Sequence, residues 1–182
     1  DDSRDGIEGI IFELQKKYGV KPKIRYSERG LASAVINGCR LAAGEIYLVM
    51  DADLSHPPEY IPGMIDKISH DGFDFVIGSR FIKGGAAEHN SFFRSLNALG
   101  AKIFARPFTA VKDPMAGFFA FRSGLLKTGG TLNPLGFKIG LELIVKLQPE
   151  KITEIPIRFQ ERLNGESKLT MKQQILYLIH IW

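Results

Sequence analysis

The stretch Ile46 to Ser55, IYLVMDADLS, constrains this chain more than any other. Ile46 to Met50 are apolar and run straight into Asp51-Ala52-Asp53, with Gly44 just before them. An unbroken apolar run that short predicts a strand buried on both faces, as in a parallel sheet. Its carboxyl end then presents two carboxylates at a spacing of two. In an open α/β sheet, ligands gather outside the carboxyl ends of the strands. Acidic side chains held there are costly unless they meet a cation or hydrogen-bond donors. Hard divalent cations such as Mg2+ and Mn2+ take oxygen ligands of this kind. Asp51 and Asp53 are therefore expected to hold a divalent metal on a diphosphate. Ser55, two residues further, either adds an oxygen ligand or caps the next helix.

A chain of 182 residues is one domain, or one domain with an appendage. Its apolar fraction of 45% suffices for a real core. The net charge of +4 suits a phosphate-rich ligand or an anionic membrane surface. There is no dense Lys/Arg tract of the nucleic-acid type, so no nucleic-acid partner is expected. The single Cys39 excludes an internal disulfide framework and is expected as a small buried residue on a helix. No apolar run reaches the roughly 18 residues that a membrane span requires.

The opening Asp1-Asp2-Ser3-Arg4-Asp5-Gly6 is a turn of the kind that follows a strand, so a first strand is expected ahead of it. Ser3 or Asp5 then caps a helix with Ile7, Ile10, Ile11 and Leu14 on one face, ending at Tyr18-Gly19. Lys23 to Tyr26 predicts a short strand, and Leu31 to Ala43 an Ala-rich helix. This alternation predicts an α/β fold, with a mostly parallel central sheet, helices on both faces and right-handed crossovers.

His56-Pro57-Pro58-Glu59 opens a helix whose apolar face is Ile61, Met64, Ile65 and Ile68. Phe73 to Ile77 predicts a strand ending in Gly78-Ser79-Arg80. Phe81 to Asn90 contains Gly84-Gly85 and no period, which predicts a mobile loop, and Ser91 to Phe104 reads as helix. Lys112 to Gly117 is a turn into the strand Phe118 to Phe121. Leu135 to Leu147 is helical, with Ile139, Leu143, Ile144 and Leu147 toward the core. Ile152 to Phe159 is a last strand, with Pro156 at an edge or bulge. After the polar hinge Asn164 to Lys168, Met171, Ile175, Leu178, Ile179 and Trp182 share one helical face. That helix either packs on its own domain or lies at a membrane interface, where Trp is favoured. The division expected is residues 1–165 for the main domain and 166–182 for the amphipathic helix.

Arg80 at a strand end, Arg94 near the start of a helix and Arg162 before the hinge are candidates to grip a second anionic group. His56 and His89 lack the partners of a metal motif and read as bystanders.

Asp1-Asp2-Ser3-x-Asp5-Gly6, Gly30-Leu31-Ala32-Ser33-Ala34 and Met50 to Pro58 resemble the family-two glycosyltransferases of the GT-A fold. Gly78-Ser79-Arg80, Val111 to Pro114, Gly136-Phe137-Lys138, Glu161-Arg162 and Gly165 to Leu169 narrow the resemblance. Together they are similar to polyprenyl-phosphate (dolichyl-phosphate) mannose synthases, especially the archaeal type. The resemblance implies a metal-dependent, inverting transfer of mannose from GDP-mannose to dolichyl or polyprenyl phosphate. It implies that Asp51 and Asp53 bind Mg2+ or Mn2+, with Ser55 standing where the family often has Gln. Asp1, Asp2, Asp51, Ala52 and Lys138 would contact the nucleotide sugar, and Arg80, Arg94 and Arg162 the acceptor phosphate. Asp51, Asp53 and Arg80 would carry the catalysis, with Asp113 and Glu142 as fallback bases. The enzyme would be membrane-associated, its active site on the cytoplasmic side. Competing readings are a polyprenyl-phosphate glucose synthase using UDP-glucose, a phosphohydrolase of the haloacid-dehalogenase type, and a silent nucleotide-binding subunit.

Overall fold

The computed structural model describes residues 5–87, 105–128, 132 and 139–160. Helix α1 (Ile7–Tyr18) follows Gly6, and Asp5 Oδ1 accepts the Ile7 amide hydrogen at 3.2 Å. Gly19 ends it in the left-handed conformation, its N–H on the Gln15 carbonyl. Among the described residues α1 buries no side chain, and Ile10 is 59% exposed.

No strand forms at Lys23 to Tyr26, where no partner strand lies alongside among the described residues. Arg25 is buried instead, its guanidinium on Ser33 Oγ at 2.6 Å and on the Gly30 carbonyl at 3.1 Å. That ties the segment to the start of α2 (Leu31–Leu41). Cys39 lies half-buried on α2, and burial pushes its thiol above the ordinary value.

Strand β1 is Ile46–Val49. A 3-10 turn at Pro58–Tyr60 leads into α3 (Ile61–Ser69). Strand β2 is Phe75–Ser79, and β3 is the pair Ala86–Ala87. Strand β4 is Phe119–Arg122, followed by the short α4 (Leu125–Thr128) and by α5 (Ile139–Leu147). Strands β5 (Ile152–Pro156) and β6 (Arg158–Phe159) complete the described chain.

The four-stranded sheet has the order β1-β4-β2-β5. β2 and β5 pair parallel, while β4 is antiparallel to both β1 and β2. The sheet is therefore mixed: β1, β2 and β5 point one way and β4 the other. The cause is the turn before β4. Asp113 bonds the Arg80 amide just past the carboxyl end of β2, so a strand leaving that turn has to run back.

β1 is half-buried along its length and is an outer strand of the sheet formed by the described residues. Full burial, expected there, belongs to β2, which is buried at every position. Side chains alternate between two cores, as a strand's period of two requires. On one face Phe75, Ile77, Phe119 and Phe121 pack with Ile36 of α2 and with Ile139, Leu143, Ile144 and Leu147 of α5. On the other, Val76, Phe118, Ala120 and Ile157 pack with Met64 and Ile68 of α3. Helices thus cover both faces.

Pro156 ends the edge strand β5, which needs no further ladder donor there. Ile157 splits the expected long strand in two: its N–H bonds the Ser79 carbonyl at 3.0 Å, and its carbonyl accepts from Ala86 N at 2.9 Å. β6 then pairs parallel with β3. The first part of the expected loop thus includes the short strand β3, paired with β6 in a two-stranded sheet of its own. The expected helices at 91–104 and after 168 lie outside the described residues. Among the described residues, no helix is long and apolar enough to cross a membrane.

Phe75 has no exposed surface and stacks on Phe119 at 5.4 Å and on Phe121 at 5.6 Å between centroids. Phe75→Ala should lower the unfolding free energy by about 3–5 kcal/mol in urea denaturation. A change no larger than that of an ordinary surface substitution would refute this core.

Candidate active site

The carboxyl ends of β1 and β2 and the start of β4 meet at one edge of the sheet. After β1 the chain makes a tight turn, and each acidic residue in it has its own tether. Asp53 Oδ1 accepts from Ser55 Oγ at 2.5 Å and from the Ser55 amide at 3.1 Å, a side-chain turn favoured by Asp. Ser55 has no exposed surface, so its hydroxyl serves Asp53 rather than opening toward a ligand. The Asp51 amide hydrogen is accepted by His56 Nδ1 at 2.9 Å. Between them Leu54 has a φ of 64°, unfavourable for a branched side chain, and is 56% exposed. Asp51 and Asp53 are half-buried, and Ala52 is exposed.

After β2 comes Arg80. Its Nε donates to Asp113 Oδ2 at 2.8 Å, its Nη2 to Asp113 Oδ1 at 2.9 Å, and its amide to Oδ2 at 3.1 Å. The Asp113 side chain is fully buried, while that of Arg80 keeps 24% of its surface exposed. Burial works against the Arg80 charge, but the hydrogen bond and attraction from Asp113 outweigh it and hold the guanidinium above its ordinary value. The guanidinium also lies over the rings of Phe81 and Phe159, at 5.2 and 5.3 Å. Glu154 of β5 holds the same turn from below: its carboxylate accepts the amides of Lys112 at 2.9 Å and Asp113 at 3.0 Å.

Asp113 is unsuited to accept a proton from substrate, since both its oxygens are engaged by Arg80 away from solvent. Glu142, the other fallback base, is paired with Lys146 at 2.8 Å within α5. Asp1, Asp2, His89, Arg94, Lys138 and Arg162 lie outside the described residues. Of the expected site, the structure places Asp51, Ala52, Asp53, Ser55 and Arg80.

A cavity of about 230 Å³ opens beside Asp51, walled by Leu31, Val35, Val49, Gly117 and Gly140. A larger hollow of about 500 Å³ lies along α1, but residues of that single helix line it and it contains none of the candidate residues. Sequence reasoning missed Glu154, Gly117 and the role of His56. Only Gly117 left a signal, as the glycine closing the Asp113-Pro114 turn.

Residues 1–130 match Glycosyl transferase family 2. The chain belongs to that family. A dolichol-phosphate mannosyltransferase of Pyrococcus furiosus is 45% identical over 100% of this chain and 52% of its own length. Proteins of the same name from Mycosarcoma maydis and Saccharomyces cerevisiae are 40% and 38% identical, each over 98% of this chain and over 62% and 69% of their own lengths. The chain thus spans about half the length of the Pyrococcus protein. Among solved structures, glucosyl-3-phosphoglycerate synthase from Mycobacterium tuberculosis with phosphoglyceric acid aligns at a TM-score of 0.56. It is 18% identical, over 92% of this chain and 58% of that one. The same enzyme with Mn2+ and UDP-glucose aligns at 0.60 and 15% identity, over 99% of this chain and 62% of that one. The fold is that of the GT-A glycosyltransferases. Family 2 membership overturns the haloacid-dehalogenase alternative.

Asp113→Asn removes the charge that Arg80 meets and leaves an amide nitrogen against a guanidinium. Urea denaturation should show a loss of about 1–3 kcal/mol. An unchanged stability would show that the pair does not organise this edge.

Proposed function

We propose that this chain is the catalytic part of a polyprenyl-phosphate mannose synthase. It would move mannose from GDP-mannose to dolichyl or another polyprenyl phosphate, with inversion and with a divalent metal. The observation that carries this reading is the pair of acidic residues after β1, one held by its carboxylate and the other by its main chain, set at the same sheet edge as an arginine anchored after β2. The first suits a metal-bridged diphosphate and the second an anionic acceptor. The names of the three relatives support the same reaction.

Asp51 and Asp53 fit a divalent cation by the chemistry of their donors, two hard carboxylates. Among the described residues no group of three or more His, Cys, Asp or Glu gathers to hold a metal. A pair of carboxylates suits Mg2+ or Mn2+, whose coordination is usually completed by substrate phosphates and water. The Mn2+ beside UDP-glucose in the Mycobacterium enzyme supports a metal of this class. The chemistry such a cation supplies is neutralisation of charge on the departing diphosphate.

The acceptor needs little help to become a nucleophile. A phosphate monoester has a second pKa near ~6 and is largely an anion at neutral pH. Its oxygen forms a bond to the anomeric carbon as the bond from that carbon to the diphosphate breaks, and the configuration inverts. No side chain has to take a proton, in keeping with the engaged state of Asp113 and Glu142. Arg80, with Arg94 and Arg162, would align the acceptor phosphate. Asp1, Asp2, Ala52 and Lys138 would contact the nucleotide sugar beside Asp51. The rate then comes from positioning and electrostatics. On this reading the site works at a membrane surface, on its cytoplasmic side.

Full-length protein with Mn2+, GDP-mannose and a polyprenyl phosphate should yield polyprenyl-phosphate mannose, identified by mass spectrometry. Chelation should stop turnover and Mn2+ restore it. Asp53→Ala should cut the rate by at least about 100-fold. A glucosyl lipid formed from UDP-glucose instead would reassign the donor. Near-normal turnover of Asp53→Ala in metal-limited buffer would overturn the mechanism.

A further inference from the structure

We propose that His56 is a positioning residue for the metal-binding turn: its ring fixes the Asp51 backbone and so aims the Asp51 carboxylate. This rests on the reading of Asp51 and Asp53 as metal ligands.

Three observations converge on it. First, the ring is clamped. His56 is 3% exposed, stacks on Phe118 at 5.1 Å and 18°, and meets the edge of Phe159 at 5.4 Å and 68°. Pro57 follows it and restricts its backbone to extended conformations. Second, the clamped ring points its Nδ1 at the Asp51 amide, 2.9 Å away. Nδ1 accepts that hydrogen, so the ring proton sits on Nε2. The pairing of β1 with β4 ends at Val49, so the Asp51 amide lies past the ladder and is met by this ring instead. Third, Gly117 leaves the space that both groups use. A Cβ at Gly117 would stand 3.3 Å from His56 Cε1 and 3.9 Å from Asp51 Oδ2.

The two acidic residues are thus held by different means. Ser55 grips the Asp53 carboxylate itself, whereas His56 grips the main chain that carries Asp51. Between Asp51 and His56, the two ends of that contact, Leu54 sits in a strained conformation that persists only when its flanks are fixed. Loss of the His56 acceptor frees one flank.

The test compares full-length wild type with His56→Phe, His56→Asn and His56→Gln. Mn2+ binding is measured by electron paramagnetic resonance in the presence of excess GDP, and folding by circular dichroism. Phe keeps the ring and its stack but has no acceptor. The Asn side-chain oxygen reaches the place of Nδ1, and that of Gln the place of Nε2. Mn2+ affinity should fall about 10–100-fold in His56→Phe, the loss typical of groups that orient metal ligands. His56→Asn should bind close to wild type, and His56→Gln should resemble His56→Phe. Equal affinities for Asn and Gln, or wild-type affinity in folded His56→Phe, would overturn the proposal alone. Should His56→Phe not fold, the Asn and Gln pair decides. A wild-type chain that binds no Mn2+ would overturn the metal reading, and this proposal with it.

Discussion

A carboxylate with no exposed surface governs the working edge of this sheet. The Asp113 charge is shut away from water, so protein donors have to meet it. Arg80 does so with its amide, Nε and Nη2. Ion pairs of this kind add little net stability, because desolvation offsets attraction. Their effect is geometric, since either partner left alone would be strongly unfavourable. The turn before β4 therefore has one place to sit, across the end of β2. Glu154 fixes the same turn from β5 through two amides. The arginine in its turn is preorganised: its fork is already oriented, and the exposed remainder can face an anion without further ordering.

The position of that turn decides the rest of the edge. It sends β4 back between β1 and β2, antiparallel to both. The start of β4 then lies where the carboxyl ends of its neighbours lie. Gly117 and Phe118 arrive beside the Asp51 turn, one giving space and the other a flat surface for His56. The adjacent antiparallel strand supplies the wall.

Much of this was legible in the residues. The apolar run into Asp51-Ala52-Asp53 marked β1 and the turn that follows it, and both are found there. The helical spacing of Ile139, Leu143, Ile144 and Leu147 marked a core face, and all four are buried. What was not legible depends on contacts far apart in the chain. The direction of β4 follows from Asp113 meeting Arg80, 33 residues away. The strand expected at Lys23 to Tyr26 had the right composition but no neighbour among the described residues to pair with. His56 read as a bystander because no metal-type partner is near it in sequence. Among its actual partners are a backbone amide and two rings that only the fold brings to it.

The paired glycines 84 and 85 show how composition can suggest the opposite of what packing requires. Two consecutive glycines suggest freedom. Gly84 does adopt a φ of 93°, which a larger residue would resist. Gly85, however, is pressed against the strand end: a Cβ there would lie 2.5 Å from the Ser79 carbonyl oxygen and 2.9 Å from the Arg80 carbonyl carbon. No backbone atom yields cheaply at that range, so only glycine fits. The next residue, Ala86, donates its amide to the Ile157 carbonyl and begins the β3–β6 ladder. The residue missing at Gly85 is a side chain, and its absence lets the loop rest directly on the main chain that carries Arg80. The placement of the candidate acceptor arginine is therefore set from two sides, by a buried acid through its guanidinium and by a glycine through its backbone.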